Sequence, residues 1–384
     1  MASLPPLRDL CAELVRHPSM SSENAPFDVT NKAVVDALAG WLDALGFTCE
    51  VLPVPGRPGK YNLIAALGRG PGGLVLSGHS DTVPYDEHAW RSDPFELAER
   101  NGRLYGLGIC DMKGFLATAV QVASEFAGQP LKQPLLMLAT ADEERAMDGV
   151  KALVAAGRPK ARYAVIGEPT GGKPVRMHKG IFMDSIRVIG RGGHSSRPDL
   201  GANAIEGMHR VLGEVLRFRD ELARRPGPGQ TMFALAHPTL NPGCIHAGDS
   251  INRIPAACEL QLDLRFPPGS GRLALRRELR ERAAAALDGS PCAIEFASVF
   301  EGIDAFETPA ASPLVQACEK LTGHGAGAVD FGTEGPFLTA LGCETVILGP
   351  GDVEQAHKPD EFLQLSRVEP MLNTLRGLVR QFCL

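Results

Sequence analysis

An apolar run that leads directly into a string of polar residues constrains this chain more than any other feature. Residues 74–76, Leu-Val-Leu, indicate a buried strand, and Ser-Gly-His-Ser-Asp-Thr-Val-Pro follows at residues 77–84. His79 and Asp81 are two positions apart, so an extended backbone points both side chains to the same side. His79 could bind a metal through one ring nitrogen while Asp81 accepts the proton of the other, or fixes the ring through a neighbouring group. In the alternative, His79 ends a strand and is satisfied by a loop carbonyl.

Two more predicted strands, at residues 135–139 and 163–166, also end in acidic residues. The first leads to the adjacent pair Glu143 and Glu144, and the second leads to Glu168. One glutamate of the pair could bind a metal while its neighbour holds a proton; taken alone, the pair would be a solvated acidic loop. Ligand sites in open α/β sheets collect at the carboxyl ends of strands. The repetition therefore favours a shared ligand site over a purely structural role.

A glycine-rich turn at residues 104–114 places Asp111 just before a predicted helix that starts at Gly114. A carboxylate is favoured there by the helix dipole, although a helix cap is the commoner use of such an aspartate. The turn is not a dinucleotide-binding fingerprint, because the third glycine is not at the required place. Cys110 could supply a thiolate, but a small buried residue is the favoured interpretation. His357, in a glycine-rich loop near the end of the chain, is another plausible metal ligand.

The length and composition exclude several classes of protein. A chain of 384 residues exceeds one ordinary core, so two domains are expected. The net charge of −6, without a basic run, does not indicate a nucleic acid or a membrane surface as a partner. We expect no membrane span and no signal peptide. The nine scattered cysteines include no Cys-x-x-Cys pair, which fits a reducing cytoplasm.

The middle of the chain changes character. Its pattern predicts a strand, a helix, two strands, a second helix and a last strand, with a loop at residues 225–229 after the first helix. This order suggests a small α+β sandwich, in which two helices back one sheet. We therefore predict a discontinuous first domain of residues 1–178 and 299–384, into which residues 179–298 are inserted.

Six strings resemble those of the dimetal amidohydrolases, a family that includes aminoacylases, glutamate carboxypeptidases, desuccinylases of succinyl-diaminopimelate and deacetylases of N-acetylornithine. They are Gly-His-Ser-Asp-Thr-Val-Pro at 78–84, the turn at 106–114, Asp-Glu-Glu at 142–144, Gly-Glu-Pro-Thr at 167–170, Gly-His-Ser-Ser at 193–196 and His-Lys-Pro-Asp at 357–360. The match runs in order over nearly the whole chain. It implies an α/β catalytic domain of the zinc-peptidase type with a central mixed sheet. It also implies that the inserted α+β sandwich joins two chains in a homodimer.

The resemblance implies a metal-binding role for each matching residue. Asp111 would bridge two divalent ions, since a two-metal site holds its ions about 3.5–4 Å apart and needs a short bridging carboxylate. His79 and Glu168 would complete the ligand set of one ion, and Glu144 and His357 would complete that of the other. Imidazole and carboxylate ligands without a thiolate suit Zn²⁺, with Co²⁺ or Mn²⁺ as possible substitutes.

The same resemblance implies catalytic and substrate-binding roles. Glu143 would take a proton from water and return it to the leaving amine, and Asp81 would support His79. His194 would donate a hydrogen bond to the oxyanion of the tetrahedral intermediate, reaching from the inserted domain into the partner's site. Asn252 and Arg265 match family positions that hold the α-carboxylate of the substrate, to which arginine can bind with two hydrogen bonds.

Three further strings resemble the members that hydrolyse N2-acetyl-L-ornithine to L-ornithine and acetate in arginine biosynthesis. They lie at residues 174–180, 247–254 and 348–351. Desuccinylation and broader N-acyl-amino-acid or carboxypeptidase activity are alternatives that use the same machinery. A non-catalytic amino-acid-binding relative would lack Glu143 or a ligand, and none is lost.

The δ-ammonium group of ornithine needs an acidic or carbonyl partner once it is desolvated. Glu334, in the loop before Pro336, is our candidate for that partner. The alternative is that Glu334 is a surface carboxylate.

Overall fold

The computed structural model describes residues 4–225 and 232–384, which form two compact units. The first unit comprises the chain up to Arg176, Thr308–Gly327 and Thr333–Leu384, and the second comprises Met177–Glu307 and Ala328–Gly332. The second unit extends past the boundary predicted at residue 298, because the strand Ala293–Ile303 crosses that position without a break. The loop predicted at residues 225–229 lies outside the described residues from residue 226 onwards.

The elements are numbered in chain order. The helices are α1 (Leu7–Arg16), α2 (Lys32–Ala44), α3 (Gly114–Phe126), α4 (Asp148–Ala156), α5 (Ala204–Leu222), α6 (Arg272–Ala285), α7 (Pro313–Thr322), α8 (Gly335–Ala340) and α9 (Leu365–Cys383). The strands are β1 (Thr48–Pro53), β2 (Tyr61–Leu67), β3 (Leu74–His79), β4 (Ala98–Arg100), β5 (Arg103–Tyr105), β6 (Leu135–Thr140), β7 (Tyr163–Ile166), β8 (Val175–His178), β9 (Gly180–Ile189), β10 (Gly193–His194), β11 (Thr239–Ala247), β12 (Arg253–Ile254), β13 (Ala257–Phe266), β14 (Ala293–Ile303), β15 (Phe306–Glu307), β16 (Gly327–Val329), β17 (Glu344–Ile347) and β18 (Phe362–Gln364).

A central mixed sheet organises the first unit, with the strand order β1-β2-β6-β3-β7-β17. β3 is parallel to β6 and β7, whereas β2 pairs antiparallel with both β1 and β6. Every residue of β3, β6 and β7 is buried. Strands that are covered on both faces read as continuous apolar runs, which is why these three were visible in the sequence. The predicted α/β class with a central mixed sheet is confirmed.

The parallel register aligns the carboxyl ends of the three central strands. Leu74 pairs with both Leu135 and Tyr163, and His79 lies opposite Thr140. The segments that follow β6 and β7 therefore emerge at the same edge of the sheet as His79. Such an edge is where α/β folds assemble ligand sites.

Helix α3 fixes the position of the Asp111 turn. Its sequence is apolar on almost every side, and a helix of that kind is buried. It packs against α1 and α9 and contacts β3 and β6. Its N-terminus at Gly114 follows an irregular turn, Ile109–Lys113, that carries Asp111. The turn is therefore anchored to the sheet through a buried helix.

The second unit contains a four-stranded antiparallel sheet in the order β11-β13-β9-β14. Alternate residues of β13, from Cys258 to Phe266, are buried, and the residues between them are half-buried. The buried set packs with apolar residues of α5 and α6. Because the helices cover one face of this sheet, buried residues alternate with half-buried ones along β13. The arrangement agrees with the predicted sheet backed by two helices.

Two local features differ from the prediction. The loop predicted before Pro336 leads into the short helix α8, in which Pro336 occupies a first-turn position and Leu338 is buried. Proline suits a first turn because its missing N–H has no intrahelical partner to lose. The small sheet β18-β5-β4 was not predicted, because strands of three residues show no periodicity. In residues 4–225 and 232–384, no helix is long and apolar enough for a membrane span.

Candidate active site

His79 is the last residue of β3 and its ring is fixed at both nitrogens. Nδ1 lies 3.0 Å from the backbone oxygen of Asp81, and Nε2 lies 3.0 Å from Oδ1 of Asp111. A proton on Nδ1 can be donated to that carbonyl oxygen, which leaves Nε2 free for a metal. The nearest contact of the Asp81 carboxylate to the ring is 3.8 Å. The partner of His79 is therefore the backbone of Asp81 and not its side chain.

The Asp81 carboxylate instead holds the turn after β6 that contains Glu143 and Glu144, which we call the glutamate turn. It is fully buried, and it accepts hydrogen bonds from the backbone N–H groups of Glu143 at 3.3 Å and of Glu144 at 3.2 Å. A carboxylate can satisfy two such donors at once. Asp81 thus joins the end of β3 to the turn after β6, so that the His79 ring and the glutamate pair are positioned together.

Asp111 lies between two imidazole rings, with one carboxylate oxygen towards each. Oδ1 is 3.0 Å from Nε2 of His79, and Oδ2 is 3.5 Å from Nε2 of His357. Burial alone would raise the pKa of Asp111, but hydrogen bonding with His357 and His79 holds that pKa well below its usual range. A charged carboxylate that offers one oxygen to each side is the arrangement a bridging ligand requires.

His357 reaches this carboxylate from the loop that follows β17. Its backbone is left-handed, with φ of 59°, and its Nε2 is 3.0 Å from Oε1 of Glu144. Hydrogen bonds to Asp111 and Glu144 raise the pKa of His357 to about 10. The imidazole of His357 is therefore held by the carboxylates of Asp111 and Glu144.

Within residues 4–225 and 232–384, two groups of three side chains bring potential ligand atoms within 4.8 Å of one another, and His79 belongs to both. One group adds Asp111 and Glu144, and the other adds Glu143 and Glu168. Burial and neighbouring carboxylates raise the pKa values of Glu143 and Glu168 well above the ordinary value. Such a set of oxygen and nitrogen donors, with carboxylates facing one another, fits divalent cations.

An unsatisfied oxygen supports the same interpretation. Oε1 of Glu168 is buried and has no hydrogen-bond partner among the described residues. A buried charge without a partner is costly, and a cation at this position would remove that cost. The residues present therefore fit metal ions. Because Glu143 is grouped with Glu168 here, its assignment as a base rather than a ligand stays a prediction.

Glu361 is a residue to which sequence reasoning gave no role. Its buried carboxylate accepts three backbone N–H groups of the Asp111 turn, from Gly108 at 2.9 Å, Cys110 at 2.7 Å and Asp111 at 3.0 Å. Burial raises the pKa of Glu361 to about 8. The only signal in the sequence was an acidic residue four positions after His357. That signal does not identify a partner 253 residues away.

Glu334 is buried beside the site and is not a surface carboxylate. Its Oε2 accepts a hydrogen bond from Oγ1 of Thr140 at 3.0 Å, and its Oε1 finds no partner within the described part of the chain. Burial raises the pKa of Glu334 to about 7. Its role towards the substrate stays a prediction.

The other predicted site residues belong to the second unit. β10 and β12 pair so that His194 lies opposite Arg253, and the N–H of Ser195 donates to the carbonyl oxygen of Asn252. His194 and Asn252 are therefore close in the fold, and both are exposed. Arg265 lies near the end of β13, where its guanidinium donates to the carbonyl oxygen of Asp330 and contacts Asp263.

A family model described as Peptidase family M20/M25/M40 matches residues 75–381. This match covers every residue of the site. The chain belongs to this family. Similarity to individual proteins extends beyond the matched region to almost the full length of the chain. It is 43% identical over 381 residues to an acetylornithine deacetylase of Proteus mirabilis, covering 99% of this chain and 98% of that protein. It is 41% identical over 383 residues to an acetylornithine deacetylase of Pasteurella multocida, covering 100% of this chain and 100% of that protein.

The fold of the chain is also that of solved members of the family. A M20 family metallo-carboxypeptidase from Sulfolobus solfataricus superposes with a TM-score of 0.77 and 17% identity, covering 98% of this chain and 99% of that one. A likeness at this level of identity establishes the peptidase M20 fold. It carries no information on the substrate.

Proposed function

We propose that this M20 hydrolase removes the acetyl group from N2-acetyl-L-ornithine, giving L-ornithine and acetate in arginine biosynthesis in the cytoplasm. The observation that carries the proposal is the 41–43% identity over nearly the full length to acetylornithine deacetylases. The convergence of His79, Asp111 and Glu144 supports metal-dependent amide hydrolysis by the same chain.

Two divalent ions per chain would be held at the candidate site. His79 and Glu168 would bind one, Glu144 and His357 the other, and Asp111 both. Zn²⁺ suits these donors best, with Co²⁺ or Mn²⁺ as possible alternatives. When bound, such ions polarise the amide carbonyl and make a water molecule more acidic.

Glu143 is the general base of the proposed reaction. It takes a proton from the attacking water, and it returns that proton to the amine nitrogen as the amide C–N bond breaks. Burial and the neighbouring carboxylates raise the pKa of Glu143 above the ordinary value. Asp81 supports this role by fixing the backbone N–H of Glu143.

Three residues of the second unit complete the proposal. His194 donates a hydrogen bond to the oxyanion that forms at the carbonyl, and acts on the partner's site within a homodimer. Asn252 and Arg265 bind the α-carboxylate of the substrate, to which the planar guanidinium can bind with two hydrogen bonds. The exposure of His194 and Asn252 is compatible with contact to a second chain and to a ligand.

Glu334 is the proposed partner of the side-chain ammonium group of ornithine. The unsatisfied, buried Oε1 supports this role, because it offers a carboxylate oxygen with no competing donor among the described residues. A desolvated ammonium requires such a partner.

A substrate panel tests the proposed activity. The enzyme is depleted of metal, loaded with Zn²⁺ or Co²⁺, and assayed on N2-acetyl-L-ornithine, N-succinyl-diaminopimelate and N-acetyl derivatives of uncharged amino acids. We expect the highest kcat/KM on N2-acetyl-L-ornithine. A preference for the succinylated substrate would instead assign a desuccinylase, and equal rates on all acetylated amino acids would assign a broad aminoacylase.

A further inference from the structure

Asp142 directly precedes the proposed base, and the reaction described above gives it no role. Its backbone is left-handed, with φ of 58°, and its side chain is fully buried. The carbonyl oxygen of Asp142 accepts the N–H groups of Ala146 at 3.1 Å and Met147 at 2.6 Å. The peptide group that joins Asp142 to Glu143 is therefore held by two N–H donors that follow in the same turn.

Two cations hold the carboxylate of Asp142. Nε of Arg57 donates to Oδ2, and Nζ of Lys60 lies 3.3 Å from Oδ1. The hydroxyl of Ser21 also donates to Oδ1 at 2.8 Å. Arg57 and Lys60 come from the segment between β1 and β2, about 80 residues from the glutamate turn in the chain. The glutamate turn is thus tied to a distant part of the first unit through a buried side chain.

Asp28 completes an ion quartet, which we define as Asp28, Arg57, Lys60 and Asp142. Lys60 and Asp142 are buried, and Asp28 and Arg57 are half-buried. Asp28 lies 3.0 Å from Nη2 of Arg57 and 2.8 Å from Nζ of Lys60. Lys60 is 2% exposed and is further fixed by the carbonyl oxygens of Met20 and Val29. Outside the quartet, Oδ2 of Asp148 lies 3.7 Å from Nε of Arg57.

An ion quartet with two buried members contributes little net stability to a fold. The loss of hydration offsets most of the attraction between the ions, and apolar residues of similar size often do as well or better. What an ion quartet does provide is a fixed geometry, because each charge must keep its partners. Here that geometry lies immediately before Glu143, and the Asp81 carboxylate fixes the N–H groups immediately after it.

We propose that Asp142, held by Arg57 and Lys60, is a positioning residue that sets the location of Glu143 relative to the substrate. This inference rests on the proposed role of Glu143 as the general base. It assigns no chemical step to the quartet itself. Asp28 shares the same cations but does not contact the glutamate turn, and this makes it a matched control.

The test compares Asp142→Asn with Asp28→Asn. Each variant removes one negative charge from the quartet, and asparagine tolerates the left-handed backbone of residue 142. We expect both to lower the melting temperature. We expect only Asp142→Asn to lower kcat, by roughly 10- to 100-fold, because a displacement of about 1 Å can cost that much. KM and the bound metal per chain should stay near the wild-type values in both.

Arg57→Lys and Arg57→Gln provide a second comparison that does not depend on the folding of Asp142→Asn. Arg57→Lys keeps the positive charge but loses the fixed fork of the guanidinium, so we expect a kcat between those of the wild type and Arg57→Gln. The absorption spectrum of the Co²⁺-loaded variants gives a readout besides activity. It should shift in Asp142→Asn and Arg57→Gln, because Glu144 shares the turn, and remain unchanged in Asp28→Asn.

The positioning role is overturned if Asp142→Asn, like Asp28→Asn, keeps the wild-type kcat and the wild-type Co²⁺ spectrum. It is also overturned if both variants lose activity in proportion to their loss of folded protein. A failure of the proposed function is distinguishable from this result. In that case the wild type does not hydrolyse N2-acetyl-L-ornithine, and the same variants are then compared on whichever N-acyl amino acid of the panel it does hydrolyse.

Discussion

The two units use polar residues in opposite ways. In the first unit, Asp111 and Glu168 are buried near the carboxyl ends of the parallel strands of a mixed sheet, where their carboxylates face other acids and imidazoles. In the second unit, His194 and Asn252 are exposed on a pair of short strands. Within the described part of the second unit, no comparable group of three donor side chains occurs.

This difference shows how each set of residues can function. Buried carboxylates that face one another are unstable without a cation, so the first unit is organised to take up metal ions. The exposed groups of the second unit are hydrated and need no cation to offset their burial. Nδ1 of His194 lies 2.8 Å from the hydroxyl of Ser196 and accepts the backbone N–H of Ser196 at 3.2 Å, and the side chain is exposed. The first unit therefore holds a buried set of donors that a cation would complete, whereas the second unit presents exposed polar groups to solvent.

Metal removal should have the largest effect and should act on the first unit. We expect a chelator to abolish activity and to lower the melting temperature, because ions that bind only the folded state stabilise it. Activity should return as two equivalents of Zn²⁺ or Co²⁺ are added, measured by metal analysis beside the assay. His194→Ala should bind the same amount of metal as the wild type. Full activity in a preparation without bound metal would exclude this mechanism.

Glu143→Ala should have the next largest effect. We expect it to keep its metals and to lose roughly 10²–10⁴-fold in kcat, the usual contribution of general acid–base catalysis. Glu144→Ala is the matched control, since loss of a proposed ligand should reduce the bound metal as well. If Glu143→Ala loses its metals while Glu144→Ala keeps them, the two assignments must be exchanged.

His194→Ala should lower kcat by roughly 10²–10³-fold, as removal of one oxyanion donor does in other enzymes. Mixing inactive His194→Ala chains with inactive Glu143→Ala chains then tests whether the site is shared. If His194 acts on the partner, each mixed dimer has one site with both groups intact. Random exchange of subunits then restores about one quarter of the wild-type sites in a symmetric dimer. A mixture that remains inactive after confirmed exchange would place His194 in its own chain.

Glu334→Gln should have the smallest effect and should change specificity rather than the chemical step. We expect kcat/KM on N2-acetyl-L-ornithine to fall by about 10-fold or more, because a charged hydrogen bond to the ammonium is lost. The rates on N-acetyl derivatives of uncharged amino acids should change much less. An unchanged ratio between the two substrate classes would rule out Glu334 as the partner of the ammonium.

The sequence by itself determined the fold class and the segments that carry the site. Continuous apolar runs identified β3, β6 and β7, since strands buried on both faces show that pattern without any knowledge of their neighbours. The ligand-type residues directly after these runs had to emerge at one edge once the strands were parallel. Local patterns were sufficient here, because each conclusion depends on a few adjacent residues.

Tertiary structure alone decided which atoms meet. Asp81 was expected to serve the ring of His79, but its carboxylate binds the turn of Glu143, 62 residues away. Glu361 holds the Asp111 turn across 250 residues, and Arg57 reaches Asp142 across 85. The residue types on each side of these contacts were visible in the sequence. Their pairing was not, because a buried carboxylate is satisfied by any donor of suitable geometry, and only the packed fold fixes which donor is within hydrogen-bonding distance.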